Sequence, residues 1–171
     1  MLVHSTETRT LDTHWARRYI VPRMPSSPPL AENFSLATKV GRLVEARVFG
    51  LRSRKDVEDY GHAFGTHLMR LPQGMRAILC ADHRPVNIYV QEVADRLMEM
   101  FKPLNAHLER VAIVSAPSNA TFAMQLDRIV RAAGYAARKV VYAPDDAVQH
   151  LAPVLTPQEL KRVRTFLEEY D

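Results

Sequence analysis

Two stretches of this chain are near-continuous apolar runs that end at a polar break and give way to a helical pattern. One covers residues 77–81 and stops at Asp82-His83-Arg84-Pro85; the other covers residues 111–115 and stops at Ala116-Pro117-Ser118. Runs with no polar alternation predict inner strands covered on both faces. Strand, polar break, amphipathic helix is the repeating unit of a βα-wound domain. Upstream, 34–40 and 42–49 read as two further strands joined by a tight turn at Gly41. In the second of these, Val44, Ala46 and Val48 alternate with Glu45 and Arg47, a period of two that predicts one face in solvent. Residues 139–143 complete a mixed sheet of about five strands.

The helices carry start and stop signals. Ser53 followed by Asp56 predicts a capping box, with Val57, Tyr60, Phe64, Leu68 and Leu71 as the buried stripe. Gly61 and Gly65 each cost a helix about 1 kcal/mol and so predict close approach to the sheet. Pro85 suits the first turn of a second helix, whose inner face is Val86, Tyr89, Val90, Val93, Leu97 and Phe101. A third helix starts at Ser118 or Asn119, buries Phe122, Leu126, Ile129 and Val130, and ends at Gly134 in a left-handed cap. A short helix follows over 145–151. Thr156-Pro157-Gln158-Glu159 then opens a last helix with the stripe Leu160, Val163, Leu167 and Tyr170. Basic residues near its start and acidic ones at its end oppose the helix dipole, which calls for tertiary pairing or for use outside the domain.

Residues 1–33 lack a sustained period and include Met24-Pro-Ser-Ser-Pro-Pro-Leu30, so they read as a flexible N-terminal arm before one domain over 34–170. Trp15 in that arm is a candidate docking anchor, and Met24 a candidate native start. Of 171 residues, 47% are hydrophobic and 25% charged, enough for one core of ordinary size. The net charge of +4 draws partly on Arg9, Arg17, Arg18 and Arg23 of the arm, and what remains is no basic stripe for nucleic acid. The short runs Arg52-Ser-Arg-Lys55 and Lys161-Arg-Val-Arg164 read as solvated faces. No apolar run approaches the ~20 residues of a membrane helix, and no signal-peptide core opens the chain. A single cysteine, Cys80, sits inside a predicted strand as a core residue; with no internal disulfide available, a cytoplasmic setting is expected.

The strand Arg76-Ala-Ile-Leu-Cys-Ala-Asp82, the strand Glu109-Arg-Val-Ala-Ile-Val-Ser115 and the tail Val141-Tyr-Ala-Pro-Asp-Asp-Ala-Val-Gln-His-Leu151 follow one another in a β-β-α-β-α-β-α-β-α order. That order resembles the STAS-like domains, also called SpoIIAA-like, which are built as the anti-sigma-factor antagonists are. The resemblance implies a βα superhelical domain, with four to five helices here, that has no enzymatic activity and binds a partner protein. Some relatives sense small ligands or nucleotides. In the phosphorylation-switched members an Asp-Ser pair follows the inner strand. Here Asp82 is followed by His83-Arg84-Pro85, and between Asp82 and Val114 the only hydroxyl is that of Tyr89. This departure removes the acceptor a serine kinase would use. The family pattern ends near Leu151, so the helix over 157–170 is an addition, expected to cap the sheet or to form a dimer contact.

A domain wound in this way collects the loops 52–55, 82–87 and 115–119 on one rim. Candidate binding residues there are Arg52, Arg54, Lys55, Asp82, His83, Arg84, Asn87, Ser115 and Ser118. Basic side chains at helix starts oppose the dipole locally, which makes sense where a phosphate, a carboxylate or an acidic partner sits among them. The plainer account is a set of solvated charges with Ser53 and Ser118 as helix caps. His83 beside Asp82 supplies two groups of a catalytic set without a nucleophile, leaving a hydrolase or transferase as a distant alternative. His62 and His67 are five apart, about 140° around a helix, and make no metal pair. The expectation is a non-catalytic module with no cofactor that binds an unidentified protein partner. A small anionic ligand on the rim is the alternative, and a homodimer remains open.

Overall fold

The computed structural model describes residues 33–170; the expected arm, with Trp15 and Met24, lies outside them save for Asn33. The chain runs β1 (Phe34–Val40), β2 (Leu43–Val48), α1 (Arg54–Met69), β3 (Ala77–Asp82), α2 (Gln91–Leu104), β4 (Leu108–Val114), α3 (Ala120–Ala133), β5 (Arg138–Val141), α4 (Pro144–Leu151) and α5 (Pro157–Glu168). Short 3-10 turns follow α2 and α4. The five strands lie in the order β1-β2-β3-β4-β5. β1 is antiparallel to β2 and the remaining pairs are parallel. This is an α/β fold on a mixed five-stranded sheet, as the alternation of strand and helix patterns predicted.

Because side chains alternate along a strand, each inner strand feeds two cores. Val44, Ala46, Leu79, Ala81, Val111 and Ile113 pack with the crossover helices α1, α2 and α3. Leu43, Ile78, Cys80, Ala112 and Val114 pack on the other face with Val148 and Leu151 of α4 and Val163, Phe166 and Leu167 of α5. The last helix, α5, therefore caps the second face of the sheet.

That placement corrects one expectation. The polar positions of β2 are not in solvent: Glu45 is buried and Arg47 partly so, both beneath α5. Period two reports only that two faces differ, and here the second face meets a helix carrying its own charge. A second correction concerns Pro85, which starts no helix. Residues 83–90 form a loop, and α2 begins at Gln91 after an extended Val90. Val90 and Ile88 are exposed, while Val86 and Tyr89 are buried. The Gln125 side chain accepts from the Tyr89 N–H at 2.9 Å and donates to its C=O at 2.7 Å, meeting backbone needs that a helical turn would otherwise meet.

The predicted caps are present. The Asp56 N–H donates to Ser53 Oγ at 3.2 Å and the Ser53 N–H to the Asp56 carboxylate at 3.0 Å. Asn119, rather than Ser118, caps α3, and Gly134 ends it at φ 66°. In α5, Glu159 closes the box with Thr156 and also accepts from the Arg42 N–H at 2.8 Å, which ties the helix start to the β1–β2 turn. Gly41 in that turn has φ 55°, and a Cβ there would stand 2.3 Å from Glu159 Oε1. Gly61 and Gly65 are both buried on α1.

Candidate functional site

The rim at the carboxyl ends of the strands holds three separate arrangements. The first is centred on Asp82, the last residue of β3, which is fully buried. Its Oδ1 accepts from the Arg84 N–H at 3.1 Å and from Arg84 Nε at 3.0 Å. Its Oδ2 accepts from Arg84 Nη2 at 3.0 Å and from Arg47 Nε at 3.2 Å. The same arginines reach the end of α5, where Arg47 donates to the Phe166 carbonyl and Arg84 to the Leu167 carbonyl, both at 2.7 Å. Their guanidinium groups also lie over aromatic rings, Arg47 over Phe166 at 4.7 Å and Arg84 over Tyr170 at 5.0 Å. Cations at a helix C-terminus oppose no dipole there, and the buried carboxylate is matched. The cluster fastens α5 to the sheet.

The second arrangement is a buried polar pair. His83 is buried and its Nδ1 lies 2.9 Å from the Tyr89 hydroxyl. Burial pushes its pKa down to about 4, against a weaker opposing pull from Asp82, so the ring is neutral near pH 7. Ser115, just past the end of β4, is also buried, and its hydroxyl has no hydrogen-bond partner among the described residues. His83 pairs with Tyr89 and the Asp82 carboxylate with the two arginines; the His–Asp couple suggested by their adjacency is not formed.

The third lies at the surface. Arg54 pairs with Glu58 at 3.1 Å and Lys55 with Asp59 at 2.5 Å, each one helical turn on and exposed. Arg52 is exposed, and its backbone N–H donates to Asp56 at 2.8 Å. Ser118 is exposed, and the Asn87 carbonyl accepts from Asn119 Nδ2 at 2.7 Å. The rim thus gathers the predicted loops without converging their basic side chains on one point.

A strip beside these residues was not anticipated. Ile88 is 58% exposed, Val90 56% and Met124 74%. Ile88 and Val90 flank Tyr89 on the extended segment held by Gln125, and Met124 precedes Gln125 on α3. Arg128, one turn on from Met124, donates to Gln91 at 3.2 Å, so this face of α3 borders the same segment. The one signal in the sequence was that Ile88 falls off the stripe of Val86, Tyr89 and Val90, hidden because that stripe fits a helical period.

Among the described residues no group of three or more His, Cys, Asp or Glu side chains is placed to hold a metal ion. His67 Nδ1 instead lies 2.9 Å from Thr38 Oγ1. Cys80 is fully buried, and burial pushes its thiol pKa well up, as for an unreactive core residue. No described helix is long and apolar enough to cross a membrane. Comparison with protein-family models, with curated proteins and with solved structures gave no match.

Proposed function

We propose that this domain is a non-catalytic regulatory module that docks another protein chain on the strip of Ile88, Val90 and Met124. The observation that carries the reading is that Ile88 and Val90, each more than half exposed, stand on a segment pinned to Gln125 of α3, whose neighbour Met124 is more than half exposed as well. Scattered exposed apolar residues are ordinary, whereas a cluster marks a contact surface. Pinning matters because a segment already ordered loses little entropy on binding. The STAS-like resemblance supports the same reading, since those domains act by binding partner proteins. A cytoplasmic setting fits a lone buried cysteine. The anionic-ligand alternative draws less support: Arg84 is committed to Asp82 and to Leu167, and Arg54 and Lys55 have acidic neighbours on their own helix.

The test is a photoreactive residue placed at Ile88, at Met124 or, as a control, at the exposed Lys102. After irradiation in cells that make the chain, positions 88 and 124 are expected to give a discrete adduct identifiable by mass spectrometry, and Lys102 none. Adducts no more frequent at 88 and 124 than at Lys102 would overturn the reading.

A further inference from the structure

We infer that residues 15–21 of this chain, Trp15-Ala-Arg-Arg-Tyr-Ile-Val21, dock on the strip of Ile88, Val90 and Met124, so that a partner reaches the strip only by displacing them. The inference rests on the strip being the docking surface proposed above, and it supplies the regulation of that surface.

The chain enters the described domain close by. The Asn33 carbonyl accepts from the N–H groups of Phe49 at 2.9 Å and Gly50 at 3.1 Å, just past the end of β2. The preceding segment therefore joins at the carboxyl-end rim, where the loop after β3 carries Ile88 and Val90 and where α3 begins. β1 stands two strands from β3 and three from β4, about 10–15 Å along the sheet. Trp15 lies eighteen positions before Asn33. A connection of that length reaches about 25 Å even as a random coil. Such a tether presents the segment to the strip at an effective concentration on the order of a millimolar, so a contact too weak to hold a free peptide suffices.

The chemistry of the two parts is complementary. Trp15 and Tyr19 are the only Phe, Trp or Tyr residues among positions 1–32, and Ile20 and Val21 adjoin them. Together with arginine, tryptophan and tyrosine are the residues that dominate contact energies. Past Val90 the outer face of α2 presents Glu92 and Asp95, both exposed and neither paired with a cation among the described residues. Asp95 accepts from the Gln91 amide at 2.7 Å, which steadies the carboxylate without neutralising it. Arg128, which borders the strip on α3, donates to Gln91. Arg17 and Arg18 bring the cations that the acidic margin lacks, beside an apolar group that matches the strip.

Trp15 is the sole tryptophan of the chain and reports the contact directly. In the purified 171-residue chain it is expected to emit at shorter wavelength, and to be less accessible to acrylamide, than in the same chain unfolded in urea, equally at every protein concentration. Ile88→Glu and Met124→Glu should each lower the ratio of docked to free segment by about tenfold, since each sets a charge in an apolar contact. The double variant Glu92→Lys with Asp95→Lys should also expose Trp15, whereas Met69→Glu, at the exposed far end of α1, should leave it protected. All of these positions are exposed, and an unchanged thermal midpoint verifies that each variant is folded. Trp15 as accessible in the folded chain as in urea would overturn the inference, as would protection indifferent to Ile88→Glu and Met124→Glu. Protection lost on dilution would overturn it too, by assigning the segment to another copy. In each of those cases a photoadduct to a different protein from position 88 or 124 would leave the docking surface in place, and its absence would remove both.

Discussion

Arg162 of α5 holds Glu45 of β2 through two hydrogen bonds of 2.6 Å, and the carboxylate is only 2% exposed. A glutamate in the middle of a strand thus has its charge matched by a helix 117 residues later in the chain. Glu169 takes the other side of the guanidinium at 2.8 Å. Hydrogen bonding to Glu45, and then to Glu169, raises the Arg162 pKa further. Through this pair, and through Arg47 and Arg84 at its far end, α5 is fastened to a sheet face whose polar residues would otherwise be stranded.

Removal of one partner leaves the other buried and unmatched. Arg162→Ala is therefore expected to cost about 3 kcal/mol in urea unfolding. The double variant Glu45→Leu with Arg162→Leu should regain most of that loss, because a well-packed apolar pair serves a buried site about as well as an ion pair. A loss below about 1 kcal/mol for Arg162→Ala would show that the pair is effectively solvated.

Arg84 reads in the sequence as an exposed rim arginine with little bearing on stability. Its side chain is in fact 10% exposed and shares Asp82 with Arg47. Arg84→Ala is expected to lower stability by about 1–3 kcal/mol, the usual range for hydrogen bonds to a charged group. Arg54→Ala, which breaks only a surface pair, should leave the unfolding midpoint essentially unchanged. Equal effects of the two substitutions would contradict the buried cluster.

Gly41 and Gly134 both have positive φ, but only Gly41 faces an obstacle. Gly134→Ala should cost about 1 kcal/mol from backbone strain alone, since nothing lies within 4 Å of its Cβ position. Gly41→Ala should cost distinctly more, because its Cβ would displace the Glu159 carboxylate from the start of α5. Thermal unfolding of the two variants side by side decides the ranking, and a reversed order would refute the contact.

His83 has its folded pKa pushed down to about 4 by burial, below the ordinary value of 6.5. The unfolded chain therefore takes up a proton at His83 as pH falls through 6.5, while the folded chain stays neutral until about pH 4. Its contribution is complete above pH 6.5 and is lost progressively down to about pH 4, by about 3 kcal/mol at most. His67, His107 and His150 are also lowered by burial and add to the same slope. His83→Gln, which can still bond Tyr89, should flatten the pH dependence of stability between 4 and 6.5 relative to wild type. Parallel curves for the two proteins would show that His83 is not buried in its neutral form.

Much of the architecture is local in origin and was legible in the residues themselves. The capping boxes at Ser53 and Thr156, the Asn119 cap and the left-handed Gly134 depend on contacts within a few positions, and the apolar runs that became β3 and β4 are continuous in the sequence. Those contacts state where an element starts, where it stops and which face is apolar, and from them the order of strands and helices and the α/β class follow. The candidate site was legible only as a set of loops. Basic residues near two helix starts cannot reveal whether they point at a ligand, at a neighbour one turn on or at a buried aspartate.

The tertiary structure alone decided the rest. Glu45 and Arg47 alternate with valine and alanine as a solvent-facing strand would, yet a helix beyond residue 156 covers them. Ile88, Tyr89 and Val90 fit the period of a helix and that of a strand equally well, and a glutamine on α3 selected the extended form. His83 and Asp82 are neighbours in sequence that face different partners on different sides of the sheet. In each case the local pattern shows that two faces differ. What lies against each face depends on packing between distant segments, where burial and hydrogen-bond satisfaction outweigh a local preference worth at most about 1 kcal/mol per residue.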